Sequence, residues 1–174
     1  MYNFRIHSST IYELFAIVGD KSIYASTYVP EVPRIDNSAF HDNEYVDVYI
    51  ASRPNECYGS VYFISPSSSG SVSRSTDFHS IVEAPNSEFN DIVLSRTQEI
   101  PEQYQTEFYR SVTYVQVYSF DKAYSDYFKT RVNNEPITNS YIQGGDAIAW
   151  NVEGDDVIGM FIGKNKSSVI LVNQ

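Results

Sequence analysis

The chain has 174 residues, with 22 acidic against 12 basic side chains and a formal net charge of −10. That balance excludes nucleic acid and anionic membrane as partners, since either needs a basic patch and the local pair Lys164 and Lys166 is too small to supply one. With 42% hydrophobic and 15% aromatic residues the composition excludes overall disorder and suits a single β-rich domain, residues 1–174, while the lone Cys57 excludes an internal disulfide.

Met1 to Thr10 contains Arg5 and His7 and no apolar segment, so no export signal is read there, and no run reaches membrane-spanning length. Ile11 to Val18 is an apolar strand, closed by Gly19-Asp20-Lys21, and Ser22 to Val29 follows as its hairpin partner. Pro30 and Pro33 remove ladder donors, so Glu31 to Phe40 is expected as an extended edge or a loop. Glu44 to Ser52 alternates cleanly. Val46, Val48 and Ile50 point to the core, and Tyr45, Asp47 and Tyr49 point to solvent or a pocket. Arg53 to Glu56 reads as a turn into a strand over Cys57 to Ser65, giving a second hairpin, with Cys57 as a small core residue.

Ser65 to Thr76 is serine-rich and cannot bury enough apolar area to offset its ordering entropy, so a mobile loop is expected. Ile81-Val82 and Phe89 to Leu94 are short strand candidates, and Pro101 to Thr106 is a polar connection. Val112 to Tyr118 is a strand of β-branched and aromatic residues. The period then changes. Phe120, Ala123, Tyr124, Tyr127 and Phe128 form an apolar helical stripe, predicting one helix over about residues 120–131 with Ser119 as its N-cap. Tyr141-Ile142 leads to Gly144-Gly145, Ala147 to Val152 is a strand, and residues 153–156 turn into another strand at Val157 to Ile162. Gly163 to Lys166 turns again before the closing strand, Ser168 to Val172. The sum is nine or ten antiparallel strands with one packed helix, a β-sandwich or a β-barrel.

Chemistry is sparsely signalled. His7, His41 and His79 lie in separate polar segments without metal-ligand spacing. Asp42, Glu44 and Asp47 form one acidic group. Asp146, Glu153, Asp155 and Asp156 form a second, which offers oxygens to Ca2+ but matches no full calcium loop and reads equally as acidic turns. No Gly-x-Ser-x-Gly elbow is present, and Gly144-Gly145-Asp146 does not open a helix in the phosphate-binding manner. No cofactor is expected beyond that calcium option. Trp150 is either a core or rim residue or an aromatic platform for a sugar or apolar ligand, with Tyr45 and Tyr49 as its companions.

Several passages match one pattern. They are Tyr12-Glu13-Leu14, Gly19 through Pro30, Ile35-Asp36, Phe89-Asn90-Asp91, Val115 to Arg131, Asn151-Val152-Glu153-Gly154, and Gly159-Met160-Phe161-Ile162-Gly163. Together they resemble the C-terminal part of the Bacteroidetes envelope lipoproteins called domain of unknown function family four-two-four-nine. The resemblance spans Tyr12 to Gly163 through degenerate motifs, and Trp150 stands where the family pattern has a smaller residue. The family's export signal, lipid-anchor cysteine and immunoglobulin-like N-terminal region have no counterpart in these residues, so membrane attachment would need an anchor outside them. The resemblance implies an exported, periplasmic or outer-membrane-anchored domain and brings no catalytic residues. The expected role is non-enzymatic, either ligand capture or support of a TonB-dependent outer-membrane transporter. The alternatives are a structural or adhesive surface module and a glycan-active enzyme.

Overall fold

The computed structural model describes residues 5–41, 45–64, 73–74, 81–85, 91–94, 102, 105–130, 149–154 and 156–173. Among these, twelve strands and two short helices form antiparallel sheets, and no sheet closes into a barrel; the architecture is that of a sandwich.

The first hairpin stands as expected. Strands β1 (Thr10–Val18) and β2 (Lys21–Val29) pair without a break from Thr10↔Val29 to Val18↔Lys21. Gly19, at φ 67°, supplies the left-handed backbone that a tight hairpin turn needs. Strand β10 (Val152–Gly154) pairs with the other side of β2, which among the described residues leaves β1 at the sheet edge. Its Ile11, Phe15, Ile17 and Val18 are exposed.

The second sheet has the order β3 (Ile35–His41), β4 (Tyr45–Ala51), β8 (Asp91–Leu94). Ile35 to Phe40 is thus the extended edge of the two options left open by the prolines. On β4 the expected inward set, Val46, Val48 and Ile50, is buried, whereas Tyr49 is exposed. Asp47, expected on the wet side, is buried too.

The third sheet runs β11 (Lys164–Lys166), β9 (Thr113–Asp121), β5 (Glu56–Ile64), β6 (Ser73–Arg74), with β7 (Val82–Glu83) also on β5 and β12 (Ile170–Leu171) also on β9. This overturns the second hairpin. Strand β5 does not pair with β4 but with β9, from Glu56↔Asp121 to Ile64↔Thr113. Residues 52–55 therefore carry the chain from one sheet to the other. Asn55 takes φ 63° at that corner, where its carbonyl accepts the Lys122 N–H. The two sheets share the core: Val46, Val48, Ile50 and Leu94 from one meet Tyr58, Val115, Val117 and Val172 from the other. Cys57 is fully buried, and burial pushes its thiol up to about 12, as a packing residue requires.

The helix is shorter than its stripe. α2 spans Ala123–Thr130, and Phe120 and Asp121 belong to β9 because both are held in ladders, Phe120 opposite Cys57 and Lys164 and Asp121 opposite Glu56. Ser119 is no cap: its hydroxyl donates to the Glu31 carbonyl at 2.8 Å, and the Asp121 carboxylate takes the Ala123 N–H at 3.3 Å instead. A one-turn helix, α1 (Glu107–Arg110), lies between the polar connection and β9, where no element is expected from the sequence.

The C-terminal expectations change most. Ala149 to Asn151 precede β10 without being strand, and β10 includes the expected turn residues Glu153 and Gly154. Val157 to Gly163 has no regular structure, and the expected turn at Lys164 to Lys166 is β11. The Ser65 to Thr76 loop apart from Ser73-Arg74, His79, Phe89-Asn90, Tyr141 to Gly145, and Ala147-Ile148 lie outside the described residues.

Candidate functional site

The strand-to-helix corner of β9 and α2 holds the arrangement with most chemical potential. Asp121 is its centre. One carboxylate oxygen accepts from Thr27 Oγ1 at 2.8 Å and from the Tyr28 N–H at 2.7 Å, and the other accepts from Ala123. Its own N–H donates to the Gly163 carbonyl at 3.1 Å, while Gly163 N–H donates to Thr27 Oγ1 at 2.6 Å. Three segments distant in sequence are locked together here: β2, the end of β9, and the irregular stretch 157–163.

Two further devices hold that stretch. Gly163 lies so close to β2 that a Cβ there would stand 2.2 Å from the Tyr28 carbonyl oxygen. The Asn151 amide imitates a strand partner, its nitrogen donating to the Phe161 carbonyl and its oxygen accepting the Phe161 N–H, both at 2.7 Å. An irregular backbone is satisfied by side chains where no ladder is available.

The result is an aromatic file beside a pinned segment. Tyr118 stacks on Phe120 at 6.3 Å between ring centroids, Phe120 on Tyr124 at 4.3 Å, Tyr124 lies 6.0 Å from Tyr127, and Tyr127 lies 5.5 Å from Trp150. An open groove of about 360 Å³ runs along it, lined by Phe120, Tyr124, Tyr127, Met160, Ile162 and Lys164. On the far side of Ile162 and Lys164 a second, more apolar groove of about 470 Å³ is walled by Ile6, Tyr12, Val29 and Phe161. Lys164 lines both, and Glu13 also lines the second.

A second polar site lies at the sheet-to-sheet corner. Glu56 is almost wholly buried, accepting from the Glu31 N–H at 3.3 Å and from the Tyr58 hydroxyl. Burial raises its pKa above the ordinary carboxylate value, partly offset by those hydrogen bonds. Burial, and then the bond to Glu56, push the Tyr58 phenol upward as well. Arg53 pairs with Glu31 at 2.6 Å, and its N–H donates to the Tyr58 hydroxyl at 2.9 Å. The adjoining cavity is small, about 120 Å³. Both carboxylate oxygens of Glu56 are engaged in holding the corner, so this cluster has the form of a structural tie.

The chain matches no family model, no curated protein and no solved structure. The site must be read from its own residues.

Trp150 is half-buried and its ring neighbour is Tyr127 of α2. Its expected companions are elsewhere. Tyr45 and Tyr49 sit on β4 in another sheet, and no ring contact joins either to Trp150. Of the calcium candidates, Asp146 and Asp155 lie outside the described residues, as do Asp42 and Glu44 of the other acidic group. Glu153 is exposed on β10, and Asp156 is exposed and paired with Lys21 at 2.5 Å. Among the described residues no three His, Cys, Asp or Glu side chains converge on a metal position. The residues missed from sequence are Lys164 and the aromatic partners of Trp150. The only signal for them was the helical stripe of α2 and the Lys164-x-Lys166 spacing.

Proposed function

We propose that this is a non-enzymatic ligand-capturing β domain of an exported envelope lipoprotein of the kind its sequence resembles, serving a cell-surface uptake system such as a TonB-dependent transporter. The observation that carries the reading is the open groove along Phe120, Tyr124 and Tyr127, continued by Trp150 and faced by Met160 and Ile162. Aromatic bodies with polar tips, grouped in a concavity, are how binding sites combine apolar contact with orientation. The cavity beside Glu56 supports the same reading, because its raised carboxyl is tied by Tyr58 and Glu31 rather than aimed at open space.

A second reading, a structural or adhesive surface module, is favoured by one observation. The edge strand β1 exposes Ile11, Phe15, Ile17 and Val18 and carries only one charge, Glu13. Natural sheets ordinarily protect such an edge.

A thermal-shift screen of sugars and small apolar molecules separates the two. Ligand capture requires compounds that raise the melting temperature, because a ligand bound only to the native state stabilises it. Tyr127→Ala and Trp150→Ala should then lose the shift while still melting cooperatively. Stabilising ligands that are indifferent to both substitutions would refute the groove as the site.

A further inference from the structure

We propose that the groove recognises an acidic oligosaccharide, with sugar rings along the Tyr118–Trp150 file and carboxylate or sulfate groups on Lys164 and Lys166. The inference rests on the ligand-capture reading and adds the class of ligand.

The placement of the two lysines carries it. In β11, Lys164 pairs opposite Phe120 and Lys166 opposite Tyr118. Directly opposed residues of an antiparallel pair share a face, as do residues two apart on one strand. Two ammonium groups and two rings thus occupy one face of the β9–β11 pair. Lys164 lines both grooves of the candidate site, and with Lys166, Asn165 and Tyr118 it lines a third, of about 350 Å³. Four other cations are spent internally, Lys21 on Asp156, Arg34 on Asp36, Arg53 on Glu31 and Lys129 on Glu83, while Arg5 and Lys122 line none of these grooves among the described residues. Lys164 and Lys166 make no ion pair among the described residues. The 360 Å³ groove, on a chain of net charge −10, has Lys164 as its one charged wall among the described residues. The local field there favours an anion against the sign of the whole molecule.

Shape selects the saccharide among anions. The grooves are open to solvent along their length, so a bound molecule keeps one edge wet. A fatty acid or a compact aromatic acid gains most from an enclosed pocket. A sugar instead presents an apolar C–H face to an aromatic ring and keeps its hydroxyls hydrated. The half-buried rings of Tyr118, Tyr124, Tyr127 and Trp150 offer such contacts in succession, and phenol hydroxyls both donate and accept at the edges. An ammonium on a long stem meets a carboxylate or sulfate as a point charge without demanding one geometry.

The test is calorimetric titration of the whole chain with oligogalacturonate, oligoalginate and chondroitin sulfate tetrasaccharides, and with cellotetraose and maltotetraose as neutral counterparts. At least one acidic oligomer should bind more tightly than either neutral one, with affinity that falls as salt is added. Lys164→Gln with Lys166→Gln should weaken that binding by about tenfold or more, the loss of one or two charge-assisted hydrogen bonds. Both lysines are exposed, so the melting temperature should stay within about 2 °C of the parent. Equal binding of neutral and acidic oligomers, or acidic binding indifferent to the double substitution, overturns the acidic assignment and leaves ligand capture standing. If no oligosaccharide binds but an apolar compound does, in a manner lost with Tyr127→Ala, the saccharide inference falls and the groove survives. If nothing binds, both fall.

Discussion

Gly163→Ala tests how the site is held. The added methyl would lie 2.2 Å from the Tyr28 carbonyl oxygen, 2.7 Å from its carbonyl carbon and 2.8 Å from Val29 Cα. All three are backbone atoms of β2, held there in the β1 ladder at Ile11↔Tyr28 and Thr10↔Val29, so no side chain can swing away. Reaching an ordinary 3.4 Å contact with the oxygen means moving the chains apart by about 1.2 Å, the gap between 2.2 and 3.4 Å. That motion breaks the bond from Gly163 N–H to Thr27 Oγ1 and strains the one from Asp121 N–H to the Gly163 carbonyl. Each lost buried bond costs about 1–3 kcal/mol, and the overpacking adds about 1–3 kcal/mol. The expected loss is about 2–6 kcal/mol, a large part of the roughly 5–15 kcal/mol that a domain possesses. Gly19→Ala is the control. Gly19 has nothing within 4 Å, but its φ of 67° makes a side chain strained, at about 1–2 kcal/mol. Urea unfolding followed by circular dichroism should move the midpoint by about 1 M or more for Gly163→Ala, and by clearly less for Gly19→Ala. A Gly163→Ala protein within about 0.5 kcal/mol of the parent, or no worse than Gly19→Ala, would refute the close-approach argument.

Three further expectations concern stability. Asn151→Ala leaves both Phe161 backbone groups without their partner and should cost about 2–4 kcal/mol, lowering the melting temperature by about 4–16 °C; an unchanged melting curve would show that water replaces the amide. Ile50→Ala, at a fully buried core position, should cost about 2–5 kcal/mol by urea titration, and a loss below about 1 kcal/mol would mean the two sheets do not pack through Ile50. Glu56 has its pKa raised chiefly by burial, so the folded state holds the proton more tightly than the unfolded chain does. Its contribution is present in full below the unfolded value, about 4.3, and is lost as pH rises through the folded value. The stability of the parent relative to Glu56→Gln should therefore fall as pH is raised from about 4 toward 7, and a flat difference over that range would contradict the raised pKa.

How much of this was readable in the chain depends on whether a feature is local. The β1–β2 hairpin was, because its turn residue and both strands are contiguous and Gly19 marks the join. The faces of β4 were nearly so: alternation placed Val46, Val48 and Ile50 inside. It could not show that Asp47 is buried as well, since that depends on what covers the other face. Sheet membership was not readable. A turn between two strand patterns is the usual mark of a hairpin, and the residues around Arg53 look like one. What sends β5 to a different sheet is its nine-residue register with β9, whose paired residues lie from 49 (Ile64↔Thr113) to 65 (Glu56↔Asp121) positions away in the chain. The same register explains the late start of α2, because a helical period read along the sequence cannot know that Phe120 is already held in two ladders.

The candidate site follows the same rule more severely. Trp150 stands out as the lone tryptophan, but alternation on β4, which leaves Tyr45 and Tyr49 facing outward, points to companions on another sheet. Its neighbour is Tyr127, a residue assigned to the helix stripe and so to packing. The stripe does both: Phe128 is buried against the sheet, while Tyr124 and Tyr127 turn partly to the groove. Two lysines, Lys164 and Lys166, are few for a polyanion. A short anionic ligand needs only one or two charges, provided they are fixed beside an apolar surface. That fixing comes from Gly163 against Tyr28, from Asp121 between Thr27 and Ala123, and from Asn151 against Phe161. None of these contacts has a local signature, because each joins residues that a one-dimensional period treats as unrelated. The ligand groove and the stability of the corner are thus one problem, and Gly163→Ala should damage both together.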